Sequence, residues 1–315
     1  MAETGSDLVR AASLLKEGEL VAIPTETVYG LAANAYDEDA VLKIFSVKER
    51  PSFDPLIVHI GTADQIHQVV GHVPDEAWKL AERFWPGPLT LVLPKRQVIP
   101  DVVTSGLDSV AVRMPDHVLT LSLLRQLPFP LAAPSANPFG YISPTMAQHV
   151  QDQLGAKIPY ILDGGPCEVG LESTIIGWDP QALHWTLYRH GGIPVEQLRD
   201  IIGQMRIATG GPAVAPGMLA SHYAPRKPLH IGDVEALLAA HVGKRIGVIS
   251  FTRAYPAADR SEVLAPGGDL ALAAKHLFRV LRGLDVSDVE VILAEVFPDE
   301  GLGRAINDRL RRASS

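Results

Sequence analysis

Hydrophobic positions recur along this chain in two periods, one helical and one extended. In "DLVRAASLLKEGEL" (7–20) apolar residues return every three or four positions and stop at Gly18, which is typical of an amphipathic helix. The same spacing predicts helices over "DEDAVLKIFSVKER", "DEAWKLAERFW" and "TMAQHVQDQLG". Short apolar or alternating runs predict strands over "ELVAIPT", "PLIVHI", "LTLVLP", "SVAVRMP", "PLAAPSA", "YILDGG", "STIIGWD" and "HWTLYRHG".

The order of these elements indicates the type of sheet. Residues 173–179 and 184–190 are predicted strands with no helix between them, so we expect them to pair antiparallel. Helices separate several of the other strands, which favours parallel pairing there. The prediction is an α/β fold with a mixed sheet and helices, not a purely doubly wound sheet.

The pattern changes after residue 207. Residues 208–228, "ATGGPAVAPGMLASHYAPRKP", are rich in Gly and Pro and lack a clear period, as in a linker, yet they contain Met218, His222 and Tyr223. A β-α-β-α-β-α pattern follows, which predicts a small parallel sheet. We therefore divide the chain into a first domain (1–207), a linker (208–228) and a Rossmann-like α/β domain (229–315).

Composition narrows the class of protein. The chain has 315 residues, of which 47% are hydrophobic, and a net charge of −8, which argues against a general nucleic-acid binder but not against a local cationic pocket. Its single cysteine, Cys167, excludes an internal disulfide and fits a reducing compartment. Apolar stretches are broken before membrane-spanning length, and no secretory signal is visible. We expect a cytoplasmic protein that is not bound to a membrane.

Candidate chemistry lies mostly at the ends of predicted strands, where α/β sheets bind ligands. "IPTETVYGL" brings Thr25, Glu26 and Thr27 together between apolar residues; the alternative is a turn capped by threonine hydroxyls. Lys48 and Arg50 follow a helix and could equally satisfy its last carbonyl groups. His59 alternates with apolar residues and, taken alone, fits a structural strand histidine.

Hydroxyl groups and further cations complete this inventory. "APSANPFGYISPT" holds Ser and Asn residues that turns also attract, and "DGGPCEVGLESTII" is rich in glycine without matching a known phosphate-binding loop. Arginines end the strands "VRMP" and "LYRHGG". Since no nucleophile elbow, carboxylate pair or metal-binding set is visible, the inventory favours charge neutralisation and alignment, as in transfer at a nucleotide phosphorus.

The motifs in their order along the chain carry a resemblance. "PTETVYGL", "KERPSFDPLIVHI", "WPGPLTLVL", "VRMP", "APSANPFGYISPT", "DGGPCEVGLESTII" and "LYRHGGI" together resemble the YrdC family of threonylcarbamoyl-AMP synthases, over roughly residues 7–203. The linker and the last domain are similar to its longer, two-domain branch. The resemblance implies a twisted mixed sheet around a large, positively charged central cavity.

It also implies the activity. Family members are nucleotidyltransferases that join L-threonine, bicarbonate (or CO2) and ATP, with Mg2+, into threonylcarbamoyl-adenylate and release pyrophosphate. Other proteins use the product to modify an adenosine beside the anticodon of tRNA; direct binding of tRNA is left open. No covalent enzyme intermediate is expected, and no residue stands out as the general base.

Site residues follow from the resemblance, position by position. The residues implied for threonine are Thr27, His59, Arg113 and Ser173. Those implied for ATP are Lys48 and Arg50, which are also the predicted catalytic pair, with Asp54, Ser135, Asn137, Ser143, Arg189 and Tyr223. No protein-borne metal site is implied, since Mg2+ arrives with ATP.

Two departures from the family pattern bear on these roles. Asp54 stands where the family usually has Asn, and an acid there repels phosphate unless it is protonated, paired or turned toward Mg2+. The linker reads "PGMLASHYAP" where "PGMKYRHYAP" is commoner, with Leu219, Ala220 and Ser221 replacing larger or basic residues. We expect this linker to fold over the cavity, with a weaker grip on phosphate.

Two alternatives remain open at this point. One is a carbamoyl-adenylate enzyme of the same fold, as in hydrogenase maturation, although those proteins carry zinc-finger cysteines that this chain lacks. The other is an RNA-binding module, which the acidic net charge and the 6% aromatic content disfavour.

Overall fold

The computed structural model describes residues 1–208, 215–217 and 222–314. The strands up to residue 207 are β1 (Glu3–Gly5), β2 (Val21–Ile23), β3 (Gly30–Asn34), β4 (Ile57–His59), β5 (Leu89–Pro94), β6 (Ser109–Arg113), β7 (Leu131–Ala132), β8 (Tyr160–Leu162), β9 (Thr174–Asp179), β10 (His184–Arg189) and β11 (Arg206–Ile207). The helices of this part are α1 (Leu8–Lys16), α2 (Glu38–Lys48), α3 (Ile66–Val69), α4 (Asp75–Phe84), α5 (Asp101–Thr104), α6 (Val118–Gln126), α7 (Ala147–Leu154) and α8 (Val195–Ile202), with a 3-10 turn at Ala63–Gln65.

These strands form a mixed sheet, as the sequence predicts. Within the described part of the chain its order is β1-β8-β2-β3-β7-β4-β6-β5-β9-β10-β11. Strands β9 and β10 pair antiparallel, whereas β4 pairs parallel with β6 and β5 with β9. The edge strands β1 and β11 were missed by the sequence analysis, because two or three mostly exposed residues show no measurable period.

The central strands bury different residues on their two faces, because successive side chains of a strand point to opposite sides. Val58 of β4 and Val112 of β6 belong to the main core under the helices. Their neighbours Ile57 and Ala111 face the other side, where Ala215 of the linker packs against them. The linker therefore covers one face of the central strands.

A second, smaller sheet follows the linker. Its strands are β12 (Leu229–Gly232), β13 (Ile246–Ser250), β14 (Arg260–Val263) and β15 (Val291–Glu295), and its helices are α9 (Val234–Ala240), α10 (Leu270–Val286) and α11 (Gly303–Ala313). All its pairings are parallel, in the order β12-β15-β13-β14, which confirms the predicted α/β pattern. Strand β14, "RSEV", was missed because its polar sequence resembles a loop.

The part after the linker (residues 229–314, here the C-terminal unit) packs directly on the first part. Ile142 and Leu171 share one hydrophobic cluster with Phe278 of α10. Arg282 of α10 donates to the carbonyl oxygens of Ile142 and Ser143. Helices of the C-terminal unit are thus fixed against two loops of the first part, 138–145 and 165–173.

The described residues contain no helix with the length and apolar character needed to cross a membrane.

Candidate active site

A narrow cavity lies on the linker-covered face of the first sheet, where β4 and β6 end and β9 begins. Its volume is about 40 Å³, far below the several hundred Å³ of a typical ligand pocket. The lining residues are Thr25, Thr27, Val28, Gly30, Arg50, Ile57, His59, Arg113, Ala133, Pro134, Ser135, Glu172, Ser173, Arg189, Pro216, Gly217, His222 and Tyr223. All four residues implied for threonine, and four of those implied for ATP, therefore meet in one place.

His59 and Arg113 lie side by side because β4 and β6 pair in register at these positions. Arg113 Nε donates to the carbonyl oxygen of Gly87 at 3.2 Å, and its Nη2 lies 2.6 Å from Glu26 Oε1. Arg113 Nη2 and Glu26 Oε1 make no aligned hydrogen bond with each other or with any other described residue. Burial, reinforced by Arg113, lowers the pKa of His59 to about 3, so its imidazole is neutral at physiological pH.

The turn at 25–29 is both a capped turn and a cavity wall. Thr25 Oγ1 donates to the carbonyl oxygen of Val28 at 2.6 Å and accepts from the amide of Thr27. Because a hydroxyl has one proton, the 2.8 Å contact between the two threonine hydroxyls has Thr27 as its donor. The Thr27 oxygen keeps free lone pairs toward the cavity. Glu26 is structural, since its Oε2 accepts from the amide of Asp116 at 3.1 Å.

Arg189 ties the β9 end of the cavity to the linker. Its Nε and Nη2 donate to the carbonyl and the hydroxyl oxygen of Ser173, both at 3.1 Å. Its Nη1 donates to the carbonyl oxygen of Pro216 at 3.0 Å. The Ser173 hydroxyl also lies 2.7 Å from that of Thr90 on β5. Ser173 is therefore held in one orientation from two sides.

Lys48 and Arg50 are buried cations, not solvated charges at a helix end. The Lys48 amine donates to the carbonyl oxygens of Ser135, at 2.5 Å, and Asn137. Burial, and secondly the charge of Arg50, lowers the pKa of Lys48 well below its usual range. Arg50 lines the cavity, whereas Lys48 lies behind it and supports the SxN segment.

Asp54 is paired. Its Oδ2 lies 2.8 Å from Arg50 Nη2, and both side chains are almost fully buried. Burial raises the pKa of Asp54, and the positive charge of Arg50 opposes that rise. In the free protein, Asp54 at this unusual position is therefore the ion-pair partner of Arg50.

Two of the residues implied for ATP face away from the open space. Asn137 Nδ2 donates to the carbonyl oxygens of Pro138 and Tyr141, both at 2.8 Å, and so closes the 137–141 turn. Its Oδ1 is buried without a hydrogen-bond partner among the described residues. The Ser143 hydroxyl donates to Glu172 Oε1 at 2.5 Å. Ser135 does line the cavity.

The described linker residues form part of the cavity wall. Pro216, Gly217, His222 and Tyr223 line it, and the His222 ring packs edge-on against Tyr223 with ring centroids 4.1 Å apart. Burial lowers the pKa of His222 to about 3, so this ring is also neutral. Met218, with Leu219, Ala220 and Ser221, falls outside the described residues.

Three residues with a part in this site were not assigned from the sequence: Thr90, Glu172 and Arg309. Thr90 and Glu172 stand inside quoted motifs, next to apolar or already assigned residues. Arg309, on α11, is 137 positions from its partner Glu172, and no local pattern reveals such a contact. Cys167 is buried, and burial raises the pKa of its thiol, which fits an unreactive loop cysteine.

Comparisons with known proteins agree with this geometry. The Sua5/YciO/YrdC model, described as "Telomere recombination", matches residues 13–191, and the model described as "Threonylcarbamoyl-AMP synthase, C-terminal domain" matches residues 193–315.

Three relatives show how far the likeness extends. The threonylcarbamoyl-AMP synthase of Pyrococcus abyssi is 46% identical, with 96% of this chain and 93% of that protein covered. The synthase of Bacillus subtilis is 42% identical, with 98% and 92% covered. The crystal structure of P. abyssi Sua5 complexed with L-threonine superposes with a TM-score of 0.92 at 43% identity, covering 100% of this chain and 97% of that one. The chain therefore belongs to the Sua5/YciO/YrdC family, in the branch of threonylcarbamoyl-AMP synthases that carries the C-terminal domain.

Proposed function

We propose that this protein joins L-threonine, bicarbonate (or CO2) and ATP into threonylcarbamoyl-adenylate and releases pyrophosphate. Relatives that match nearly the whole chain are named for this synthesis, and a solved relative holds L-threonine. The observation that carries the proposal is the convergence of Arg113, Thr27 and Ser173 with Arg50 and Arg189 on one cavity. An amino acid and a nucleotide need this combination of hydroxyl groups and cations.

Threonine is proposed to bind beside Arg113. A guanidinium group binds a carboxylate through two parallel hydrogen bonds, and Arg113 Nη2 faces Glu26 without an aligned hydrogen bond. The free lone pairs of Thr27 suit the ammonium or hydroxyl group of the substrate. Neutral His59 adds no positive charge that would oppose the ammonium group.

ATP is proposed to bind at the end of the cavity that Arg50, Arg189 and Ser135 line. Lys48 adjoins this end, and its lowered pKa reflects burial without enough negative charge. Phosphate groups supply that charge, so ATP binding should raise the pKa of Lys48 toward its usual range. Entry of a nucleotide also requires lining residues to move, among them those of the linker, since the cavity volume is only about 40 Å³.

The reaction is a direct displacement. The amine of threonine adds to CO2 and loses a proton to water or bicarbonate, giving a carbamate. A carbamate oxygen then bonds to the α-phosphorus of ATP, and the bond between that phosphorus and the bridging oxygen to the β-phosphate breaks. Arg50 and Lys48 stabilise the negative charge on the leaving pyrophosphate.

Mg2+ is proposed to enter with the nucleotide. The described residues contain no group of three His, Cys, Asp or Glu side chains that could hold a metal ion. Nucleotide-bound Mg2+ needs only one or two protein carboxylates, and Asp54 is already paired with Arg50, so the phosphate groups are expected to supply most of the ligands. When bound, the ion neutralises charge on the phosphate groups.

The product is a reactive mixed anhydride, so another protein must consume it. We propose that it supplies the enzymes that form threonylcarbamoyladenosine next to the anticodon of tRNA, in the cytoplasm. Direct contact of this chain with tRNA is not required by this chemistry.

Pyrophosphate release tests the proposal. The purified chain should release pyrophosphate from ATP and Mg2+ only when L-threonine and bicarbonate are both present, and mass spectrometry should detect the adenylate. Equal release with serine, or with no amino acid, would contradict the substrate assignment.

A further inference from the structure

Arg309 connects the C-terminal unit to the cavity of the first part. It lies on α11 and is 1% exposed, although it carries a full charge. Its Nε donates to Glu172 Oε2 at 2.8 Å, and its Nη1 donates to Asp308 Oδ2 at 2.7 Å. Its guanidinium carbon lies 5.1 Å from the centroid of the Tyr223 ring. Glu172 and Tyr223 both line the cavity.

The two oxygens of Glu172 have separate partners. Oε1 accepts from the Ser143 hydroxyl and Oε2 accepts from Arg309, so the carboxylate bridges the two residues. Burial alone would raise the pKa of Glu172, but Arg309 and then Arg189 hold it below its usual value. An ionised carboxylate can only accept hydrogen bonds, which forces Ser143 to act as the donor.

We propose that Arg309 is a positioning residue of the synthase site, which fixes the Glu172 carboxylate and the Tyr223 ring in the cavity wall where the nucleotide binds. This inference rests on the proposed function. On this proposal the C-terminal unit contributes to nucleotide binding through one side chain, Arg309, which acts through Glu172.

Electrostatics explain why the cation is needed. Glu172 is a buried negative charge in a cavity that must accept a polyanion. Without Arg309 it would be only partly compensated by Arg189, and it would repel the phosphate groups or take up a proton. Truncating one partner of a buried, hydrogen-bonded charge pair across a binding interface weakens binding roughly 30-fold or more, and an unpaired Glu172 facing the phosphate groups should weaken ATP binding to a similar extent.

A matched control lies on the same helix. Arg304 of α11 forms an ion pair with Glu196 of α8, so it also joins the C-terminal unit to the first part. That pair is partly exposed, and neither residue lines the cavity. Arg304→Met therefore removes a contact between the two parts without touching Glu172.

The experiment uses the full chain with Arg309→Met, Arg309→Lys, Glu172→Gln, the double variant Arg309→Met/Glu172→Gln, and Arg304→Met. ATP affinity is measured by calorimetry between pH 6 and pH 8.5, with thermal unfolding as a parallel readout. The charged and titratable groups that face Glu172 are Arg309, Arg189, His222 and Tyr223, and only the first is changed.

We expect Arg309→Met to weaken ATP binding roughly 30-fold at pH 8, and less at pH 6 where unpaired Glu172 takes up a proton. Arg309→Lys should recover part of the affinity. The double variant, which lacks the unpaired carboxylate, should bind ATP more tightly than Arg309→Met and without that pH dependence. Arg304→Met should bind ATP like the wild type.

Other outcomes contradict the inference. If Arg309→Met and Arg304→Met change ATP affinity equally, Arg309 only joins the two parts. If Arg309→Met does not fold, the double variant is compared with the wild type. ATP binding roughly 30-fold weaker than in the wild type, or an affinity that still falls between pH 6 and pH 8, overturns the role of Glu172. Wild-type protein that binds ATP but releases no threonine-dependent pyrophosphate contradicts the proposed function alone.

Discussion

Arg50 and Asp54 form a buried ion pair in which Arg50 Nη2 lies 2.8 Å from Asp54 Oδ2. Arg50 also donates to the backbone carbonyl oxygens of Asp54, at 3.0 Å, and Pro55, at 2.9 Å. These two bonds do not involve the carboxylate. The guanidinium group is therefore oriented even when Asp54 carries no charge.

Asp54→Asn should accordingly improve ATP binding while it weakens the fold. Neither oxygen of the Asp54 carboxylate makes an aligned hydrogen bond among the described residues, so the substitution removes a buried ion pair, and this should lower the free energy of unfolding by about 3–5 kcal/mol. Removing a negative charge beside the phosphate site should raise ATP affinity about fivefold, the effect of roughly 1 kcal/mol. Calorimetry and urea unfolding measure both. Asp101→Asn, which removes an acid from the exposed side of a pair with Lys95, is the control; weaker ATP binding by Asp54→Asn would instead show that the carboxylate is needed.

Arg113→Lys tests the threonine end of the cavity. A lysine keeps the charge beside Glu26 but cannot bind a carboxylate through two parallel hydrogen bonds. We expect KM for threonine to rise roughly 10- to 100-fold, the effect of losing a charged hydrogen bond worth about 1.5–3 kcal/mol. KM for ATP should stay unchanged. Arg199→Lys on the exposed side of α8 provides the comparison, and a rise in KM for ATP alone would reassign Arg113.

Stability should depend on pH through His59 and His222. Burial lowers the pKa of each to about 3, below the ordinary value near 6.5. Their contribution is fully present above pH 6.5 and is lost as pH falls toward 3, because the unfolded chain then binds protons that the folded protein does not. From pH 7 to pH 5 each histidine should cost roughly 2 kcal/mol of unfolding free energy.

Urea unfolding at the two pH values measures this loss. His59→Gln should remove about half of the loss in unfolding free energy that His59 and His222 together cause. His72→Gln, at an exposed position, should leave that loss unchanged. An unchanged pH dependence in His59→Gln would show that its ring is protonated in the folded protein.

Gly217→Ala tests the linker at the cavity wall. Gly217 has φ +79°, and a Cβ there would lie 2.6 Å from the Tyr223 hydroxyl and 3.1 Å from Arg189 Nη1. Gly268 has nearly the same backbone angle, φ +78°, with no atom within 4 Å of such a Cβ. Alanine at either position should cost about 1 kcal/mol of stability through backbone strain. Pyrophosphate release should fall at least tenfold in Gly217→Ala but not in Gly268→Ala, because only the first substitution displaces Tyr223 and Arg189. Equal rates in the two variants would show that the packing of Gly217 against these two side chains has no role in the reaction.

The repeat of apolar positions was sufficient to predict most helices and strands, the antiparallel pair β9 and β10, and the parallel second sheet. These features depend on period and order, which are local properties of a chain. The central strand β3 (Gly30–Asn34) was missed because its Gly, Ala and Asn residues have low strand propensity. The edge strands β1, β11 and β14 were missed because they are short and at least partly exposed. They exist through backbone hydrogen bonds to a neighbouring strand, and such bonds leave no trace in side-chain pattern.

The candidate site likewise contains residues that the sequence predicts and contacts that only the tertiary structure shows. The motifs led to eight of the cavity-lining residues, among them Thr27, Arg113 and Arg189, because a chemical role restricts residue type. The tertiary structure alone showed that Asp54 is paired with Arg50, that Lys48 supports the loop behind the cavity, and that Arg309 reaches Glu172. Each of these is a buried charge whose partner is chosen by packing. A charge excluded from water must find its counter-charge wherever the fold brings one within reach, and distance along the chain carries no information about that choice.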